Sequence, residues 1–68
     1  MVFEIQHHPI SASTTHRAEA ESIEVAAIIA EQKIWTCQPG DVVTISDTDG
    51  HVLGLFRMAK SRQLVQIS

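Results

Sequence analysis

One stretch of the chain, Ser22–Trp35, has the periodicity of an α-helix, and strand-like segments flank it on both sides. At about 100° per residue, one narrow stripe of this helix carries apolar side chains, namely Ile23, Ala26, Ala27, Ala30 and Ile34. Because three of the five are alanines, the stripe is shallow and the helix can lie close against a sheet. Val25, Ile28 and Ile29 fall on roughly the opposite side. This second apolar side needs either another layer of the fold or a binding partner to cover it.

The length of the chain limits how much apolar surface it can bury. Its 68 residues predict a single domain, 1–68. A chain of this size buries only about 60% of the surface that it exposes when unfolded, so self-association or docking on a partner is expected to stabilise it. The formal net charge of −3 argues against binding nucleic acid by bulk electrostatics.

The cysteine content and the first residues indicate the compartment. Cys37 is the one cysteine of the sequence, so no internal disulfide can form, which is typical of a reducing cytoplasm. The segment Met1–Ile5 contains neither a basic leader nor a long apolar run. We therefore expect a cytoplasmic protein without a membrane span.

Two segments before the helix have the period-2 alternation of half-buried strands. The first is Val2–His8, and Pro9 begins the connection that follows it. The second is Thr14–Glu21, whose small residues on one face suit a strand beneath the helix. Ser22 is the predicted N-cap of the helix, which should end near Lys33 or Ile34.

The segment after the helix predicts a β-hairpin and a final strand. Val42–Ser46 and the segment from His51 to Phe56 form the two arms, Asp47–Gly50 forms the turn, and Leu64–Ile67 forms the last strand. Alternation places Val43, Ile45, Val52, Gly54 and Phe56 on one face. It places Val42, Leu53 and Leu55 on the other face. Gly54 then leaves room for the alanine stripe of the helix. The predicted fold is α+β in the order ββαβββ, a single-domain antiparallel sheet with one helix packed across it.

The residues that could carry chemistry have simpler interpretations. The four histidines, His7, His8, His16 and His51, could form a zinc site if their strands converged, but their spacing matches no zinc motif. Asp47–Gly50 echoes the start of a calcium loop but is also a typical hairpin turn. Cys37 has no base close to it in sequence. We therefore expect no metal site, no cofactor and no enzymatic activity.

Three of the five basic residues lie within six positions: Arg57, Lys60 and Arg62. They could grip phosphate or an acidic partner. They could equally be a solubilising turn that guards the last strand from unwanted pairing, which is the interpretation we favour. No aromatic-rich strand accompanies them, so base stacking on the sheet is not indicated.

The order of the motifs resembles a known family. The chain has two short strands ending in Arg17-Ala-Glu-Ala-Glu-Ser22 and then an alanine-rich helix. Gly40-Asp-Val-Val-Thr-Ile45 follows with a tight turn at Gly50, and a basic connection leads to the last strand. This plan resembles small phage-encoded anti-CRISPR proteins that act on type I-F systems. The resemblance implies a single-domain inhibitor that docks on backbone subunits of the crRNA-guided surveillance complex and competes with target DNA. It assigns no individual binding residues, and the present chain is acidic and poor in lysine.

Three functions follow as hypotheses. The first is a non-enzymatic inhibitor from a phage or mobile element that occludes a protein surface, with an anti-CRISPR as its most concrete form. The second is a small homodimeric structural or regulatory module of a bacterial cell, and the third is a nucleic-acid-binding module that uses the Arg57–Arg62 segment. For the first, the predicted partner-binding residues are Glu19, Glu21, Val42, Leu53 and Leu55. A basic groove that normally holds nucleic acid would attract the carboxylates, and the aliphatic side chains would form the desolvated centre.

Overall fold

Five strands and one helix make up the part of the chain that the computed structural model describes, residues 1–8 and 14–68. In chain order the elements are β1 (Val2–His8), β2 (Thr14–Glu19), α1 (Ile23–Lys33), β3 (Val42–Ser46), β4 (Val52–Met58) and β5 (Leu64–Gln66). The predicted α+β class and the order ββαβββ are confirmed. The connection predicted after Pro9 lies outside the described residues.

The strands form one antiparallel sheet in the order β2-β1-β3-β4-β5. Three of the four pairings join strands that are consecutive in the sequence or nearly so: β1 with β2, β3 with β4, and β4 with β5. The fourth pairing joins β1 to β3 across the helix, with Ile5 opposite Ile45. This central pairing places the two most buried segments of the sheet side by side beneath α1.

The helix begins and ends where its sequence predicts. The Ser22 Oγ accepts a hydrogen bond from the Val25 N–H at 3.3 Å, which satisfies one of the free donors of the first turn. Glu24 in that turn and Lys33 in the last turn both complement the helix dipole. The N–H of Ile34 closes the last turn on the carbonyl of Ala30 at 2.8 Å.

The alanine stripe is the buried side of α1. Ala26, Ala27 and Ala30 are buried and pack over a core that the sheet supplies, made of Phe3, Ile5, Val43, Ile45, Phe56 and Met58. Of the opposite apolar side, Val25 and Ile28 are exposed as expected. Ile29 differs from that expectation because it is partly buried and packs against the core.

A β-bulge in the β3–β4 hairpin overturns one predicted orientation. Ile45 pairs with Gly54, but the next residue, Ser46, pairs with Val52, so Leu53 has no partner in register. Since side chains alternate with period 2, one extra residue moves everything before it to the other face. Val52 therefore lies with Ser46 on the face away from the helix, where it is 64% exposed. The prediction that Val52 shares the face of Val43 and Ile45 is wrong.

Gly54 occupies a crowded position between β4 and the helix. A Cβ placed on Gly54 would lie 2.9 Å from the Phe56 ring and 3.4 Å from the Ile23 Cδ1. Ile23 begins the same stripe as the three alanines, so the helix does cross above Gly54 as predicted. The tightest neighbour, however, is Phe56 on the same strand.

Candidate functional site

The face of the sheet away from α1, called the outer face below, has an aliphatic half and a polar half. The strand register places the following aliphatic residues on β3, β4 and β5 there: Val42, Val52, Leu55 and Val65. It places the following polar residues on β1 and β2 there: Glu4, Gln6, Thr15, Arg17 and Glu19. Val52 and Val65 are exposed, whereas Val42 and Leu55 are half-buried. No described element of the chain covers the aliphatic half.

Arg57 lies inside the aliphatic half rather than in a basic turn. On β4 it is directly opposite Val42 on β3 and Val65 on β5. Its methylene stem can therefore lie over apolar neighbours while the guanidinium stays in water. The prediction that grouped Arg57 with Lys60 and Arg62 followed their closeness in sequence, but the sheet separates Arg57 from the turn.

Arg62 has a structural task. Its guanidinium donates hydrogen bonds to the carbonyl oxygens of Cys37 and, at 3.3 Å, Trp35. Its backbone has a φ of 69°, the left-handed conformation that closes the β4–β5 turn, and its N–H bonds the Ala59 carbonyl at 3.0 Å. Lys60 is exposed in the same turn. The described residues therefore do not present Arg57, Lys60 and Arg62 as one phosphate-binding cluster.

The five predicted partner-binding residues do not form one patch. Val42 and Leu55 lie on neighbouring strands of the aliphatic half. Glu19 is on β2, three strands away from Leu55, which corresponds to about 14 Å across the sheet. Leu53 lies at the bulge. Glu21 was expected on the outer face of the second strand, but β2 ends at Glu19 and Glu21 lies beyond it.

The two glutamates are instead close to an apolar cleft at the end of β2. Glu19, Ala20 and Glu21 line this open cleft together with Met1 and Val25. Both apolar side chains of the cleft are exposed, Met1 to 70% and Val25 to 38%. Carboxylates beside exposed aliphatic groups are an arrangement typical of the margin of a protein interface.

A buried polar cluster, which the sequence did not predict, lies at the other end of β1. The Nε2 of His7 is 2.9 Å from the Oδ2 of Asp41, and the same oxygen accepts the Gln38 N–H at 2.9 Å. The possible ligand atoms of His7, Cys37 and Asp41 all lie within 4.8 Å of one another. The Gln38 N–H, followed by His7, holds the pKa of Asp41 below its usual value.

The chemistry of this cluster points to a structural role. Thiol, imidazole and carboxylate are ligand types that Zn²⁺ accepts. Burial, with Asp41 close by, raises the pKa of the Cys37 thiol and so favours its protonated form, which is neither a nucleophile nor a metal ligand. The Asp41 oxygen already accepts two hydrogen bonds, and both His7 and Cys37 are almost completely buried. The cluster ties the loop before β3 to β1.

The Asp47–Gly50 segment is a hairpin turn, as predicted. The Oδ1 of Asp47 accepts the N–H groups of Asp49 and His51, each at 2.9 Å, and Gly50 has a φ of 90°. These bonds lower the pKa of Asp47, with the His51 N–H as the largest cause. Asp47, Asp49 and His51 also have ligand atoms within 4.8 Å of one another. Since the turn itself uses the oxygens of Asp47, its residues need no ion to explain them.

A second exposed apolar surface lies on the far side of α1. Val25 and Ile28 are exposed there, and Trp35, two residues beyond the end of the helix, is 79% exposed. The sequence indicated this surface through Val25 and Ile28 but not the exposure of Trp35. In the part of the chain that is described, no helix has the length and apolar character needed to cross a membrane.

Comparison with known proteins adds nothing to this geometry. No protein-family model, no curated protein and no solved structure matches the chain.

Proposed function

We propose that this domain is a non-enzymatic interaction protein that binds a protein partner through the outer face of its sheet. The observation that carries the proposal is the uncovered aliphatic half, in which Val52 and Val65 are exposed beside Val42 and Leu55. A contiguous apolar patch bordered by polar residues is typical of a protein interaction site. Occlusion of a partner's surface is the action proposed for it.

Arg57 gives this patch a polar centre. Arginine is enriched at the energetically important positions of interfaces, because its stem packs against apolar groups while its guanidinium binds carboxylates or carbonyls. Arg57, flanked by Val42 and Val65, fits this pattern. We therefore revise the expectation from the sequence, and Arg57→Glu should weaken binding.

The most concrete form of this function is an anti-CRISPR that acts in the bacterial cytoplasm on a type I-F surveillance complex. The resemblance in element order supports it, and so does the sign of the charge. The chain has a net charge of −3, and Glu4 and Glu19 lie on the polar half of the outer face. A basic groove built to hold DNA would attract these carboxylates and would be blocked once the aliphatic half had docked.

A competition assay tests this form of the proposal. Guide-loaded type I-F surveillance complex is mixed with the protein, and binding of labelled target DNA is measured. We expect inhibition by the parent protein, and a loss of inhibition in Leu55→Asp and Arg57→Glu. Glu19→Lys should mainly slow association, since it lies on the margin. Lys33→Glu, on the exposed end of α1, is the matched control and should inhibit like the parent.

The outcomes separate the levels of the proposal. If the parent protein does not inhibit target binding, the CRISPR form is wrong. A pull-down from lysate with the parent and with Leu55→Asp then tests the outer face itself. A protein captured by the parent but not by the variant supports this face as the binding site, and equal capture by both contradicts it.

The second candidate is a homodimeric structural or regulatory module. The observation that favours it is that β2 is an edge strand, paired with β1 on one side and with no described strand on the other. A stable dimer of the purified chain without inhibition in the competition assay would favour this candidate over the first.

A further inference from the structure

The edge formed by β2 lacks the usual protections of an exposed strand. Its six residues, Thr14–Glu19, contain no proline, no lysine and no bulge in their pairing with β1. Such features normally keep an exposed strand edge from pairing with another chain. The opposite edge, β5, has only three residues. The sheet therefore has one edge that can accept a further strand and one that is too short to do so well.

The hydrogen bonds at the end of β2 fix which backbone groups are free. Met1 and Ala20 exchange both of their backbone hydrogen bonds, at 2.9 and 3.1 Å. In an antiparallel pair such doubly bonded pairs alternate with unbonded ones, so Ala18 and His16 also bond to β1. The N–H and carbonyl groups of Thr15, Arg17 and Glu19 consequently point away from β1, toward the open edge.

We propose that a second copy of this chain pairs with β2 along this edge, antiparallel, with the two-fold axis at Ala18. Arg17 of each copy then lies opposite Glu19 of the other. Both are residues whose backbone groups face the open edge, so each Arg17–Glu19 pair forms two backbone hydrogen bonds. The two copies make a ten-stranded sheet, with both helices on one side.

Charge selects this register over its neighbours. A shift of the pairing by two residues in one direction places Arg17 opposite Arg17 of the second copy. The same shift in the other direction places Glu19 opposite Glu19. Opposite charges on directly facing residues stabilise a strand pair, whereas like charges destabilise it. The proposed register is the one with two attractive pairs on the outer face.

Apolar surface next to the edge favours the same assembly. Met1 and Val25 are exposed and line the cleft at the end of β2, where the second copy would lie. Pairing would shield them in both copies. Because the interface is two-fold symmetric, it uses the open β2 edge of both chains, and the three-residue β5 is a poor template for further addition. The assembly should therefore stop at two.

Sedimentation velocity over about 10 µM to about 1 mM tests the proposal, a range in which weak specific dimers become populated. We expect a monomer–dimer equilibrium in the parent. Arg17→Glu and Glu19→Arg each replace two attractive pairs with two repulsive ones and should raise the dissociation constant about tenfold or more. The double variant, R17E with E19R, restores opposite charges and should return the dissociation constant to near the parent value.

A backbone variant provides a test that does not depend on charge. Thr15→Pro removes an N–H that faces the open edge, so it should abolish dimers while circular dichroism stays that of the parent. Lys33→Glu, a charge reversal away from the edge, should dimerise like the parent. A monomer throughout the range overturns the proposal. A dimer that both single reversals and Thr15→Pro leave unchanged also overturns it and moves the interface to another surface.

The outer face remains open in this dimer, so the test is independent of the proposed binding function. Leu55→Asp should impair partner binding and leave the dimer intact. Arg17→Glu should do the opposite, apart from any gain that a divalent binder has over a single copy.

Discussion

His7 and Asp41 are joined by a hydrogen bond of 2.9 Å between the Nε2 and the Oδ2, although 34 positions separate them in the sequence. Both side chains are buried, and the bond links β1 to the loop that precedes β3. The carbonyl of Asp41 also accepts the Met58 N–H at 3.0 Å. Asp41 is thus the residue through which β1, β4 and the loop after α1 are held together.

Acid should weaken this connection. The hydrogen bonds from Gln38 and His7 hold the pKa of Asp41 below its usual value of about 4. A carboxyl with a lowered pKa stabilises the folded state fully above its ordinary pKa, and that contribution is lost as the pH falls through the lowered value. The melting temperature of the parent should therefore drop as the pH falls below about 4, and Asp41→Asn should show a smaller drop. Asp49→Asn, on the exposed turn, is the matched control, and parallel curves for all three proteins would contradict the prediction.

The Cys37 thiol should be unreactive in the folded protein. It is completely buried, and burial raises its pKa, so both access and thiolate are lacking. We expect a thiol reagent such as DTNB to modify the native parent no faster than the protein unfolds, and to modify it at once in denaturant. Ser61→Cys places a second thiol on the exposed β4–β5 turn and should react immediately with one equivalent. Rapid modification of the native parent would show that the loop opens without global unfolding.

Gly54→Val should destabilise the fold. The added side chain would press on the Phe56 ring and the Ile23 methyl group. Overpacking of this kind costs about 1–3 kcal/mol, which is a large part of the stability of a small domain. Urea unfolding of Gly54→Val measures the loss. Thr15→Val adds a similar side chain on the exposed outer face and should leave the unfolding free energy nearly unchanged. Equal midpoints for the two variants would mean that the helix yields freely above Gly54.

Arg62 and Lys60 should differ although both are cations of the same turn. Arg62→Ala removes the hydrogen bonds to the carbonyls of Trp35 and Cys37, for an expected loss of about 1–2 kcal/mol in unfolding free energy. Lys60→Ala removes an exposed side chain and should change stability little. Thermal unfolding of both variants measures the difference. If the two melt together, the Arg62 bonds contribute nothing net in water.

Local patterns predicted the elements well. The alternation in Val2–His8, bounded by Pro9, gave the limits of β1, and Ser22 marked the start of α1. The bulge at Leu53 could not be read in the same way, because alternation assumes that each residue faces one partner. For the same reason Val52 was placed on the wrong face.

The candidate site was partly accessible from the sequence. Alternation identified Val42 and Leu55 as outer-face residues because each follows directly from the strand period. Arg57 was assigned to a turn because it is close to Lys60 in the sequence, whereas its cross-strand neighbours make it part of the aliphatic half. The His7–Asp41 pair could not be predicted, since only the β1–β3 register brings together residues so far apart.

The β1–β3 pairing has a consequence for how fast the chain folds. The β1–β2 pair on one side and the run β3–β4–β5 on the other are local in sequence, whereas β1 and β3 meet only after the chain between them, α1 included, has closed into a loop. The entropy of that closure must be lost before the contacts between Ile5 and Ile45 can compensate it. Joining the two local halves is therefore the expected rate-limiting event. Shortening Ile45 to valine should slow refolding, while shortening Leu64, at the far margin of the sheet, should mainly speed unfolding.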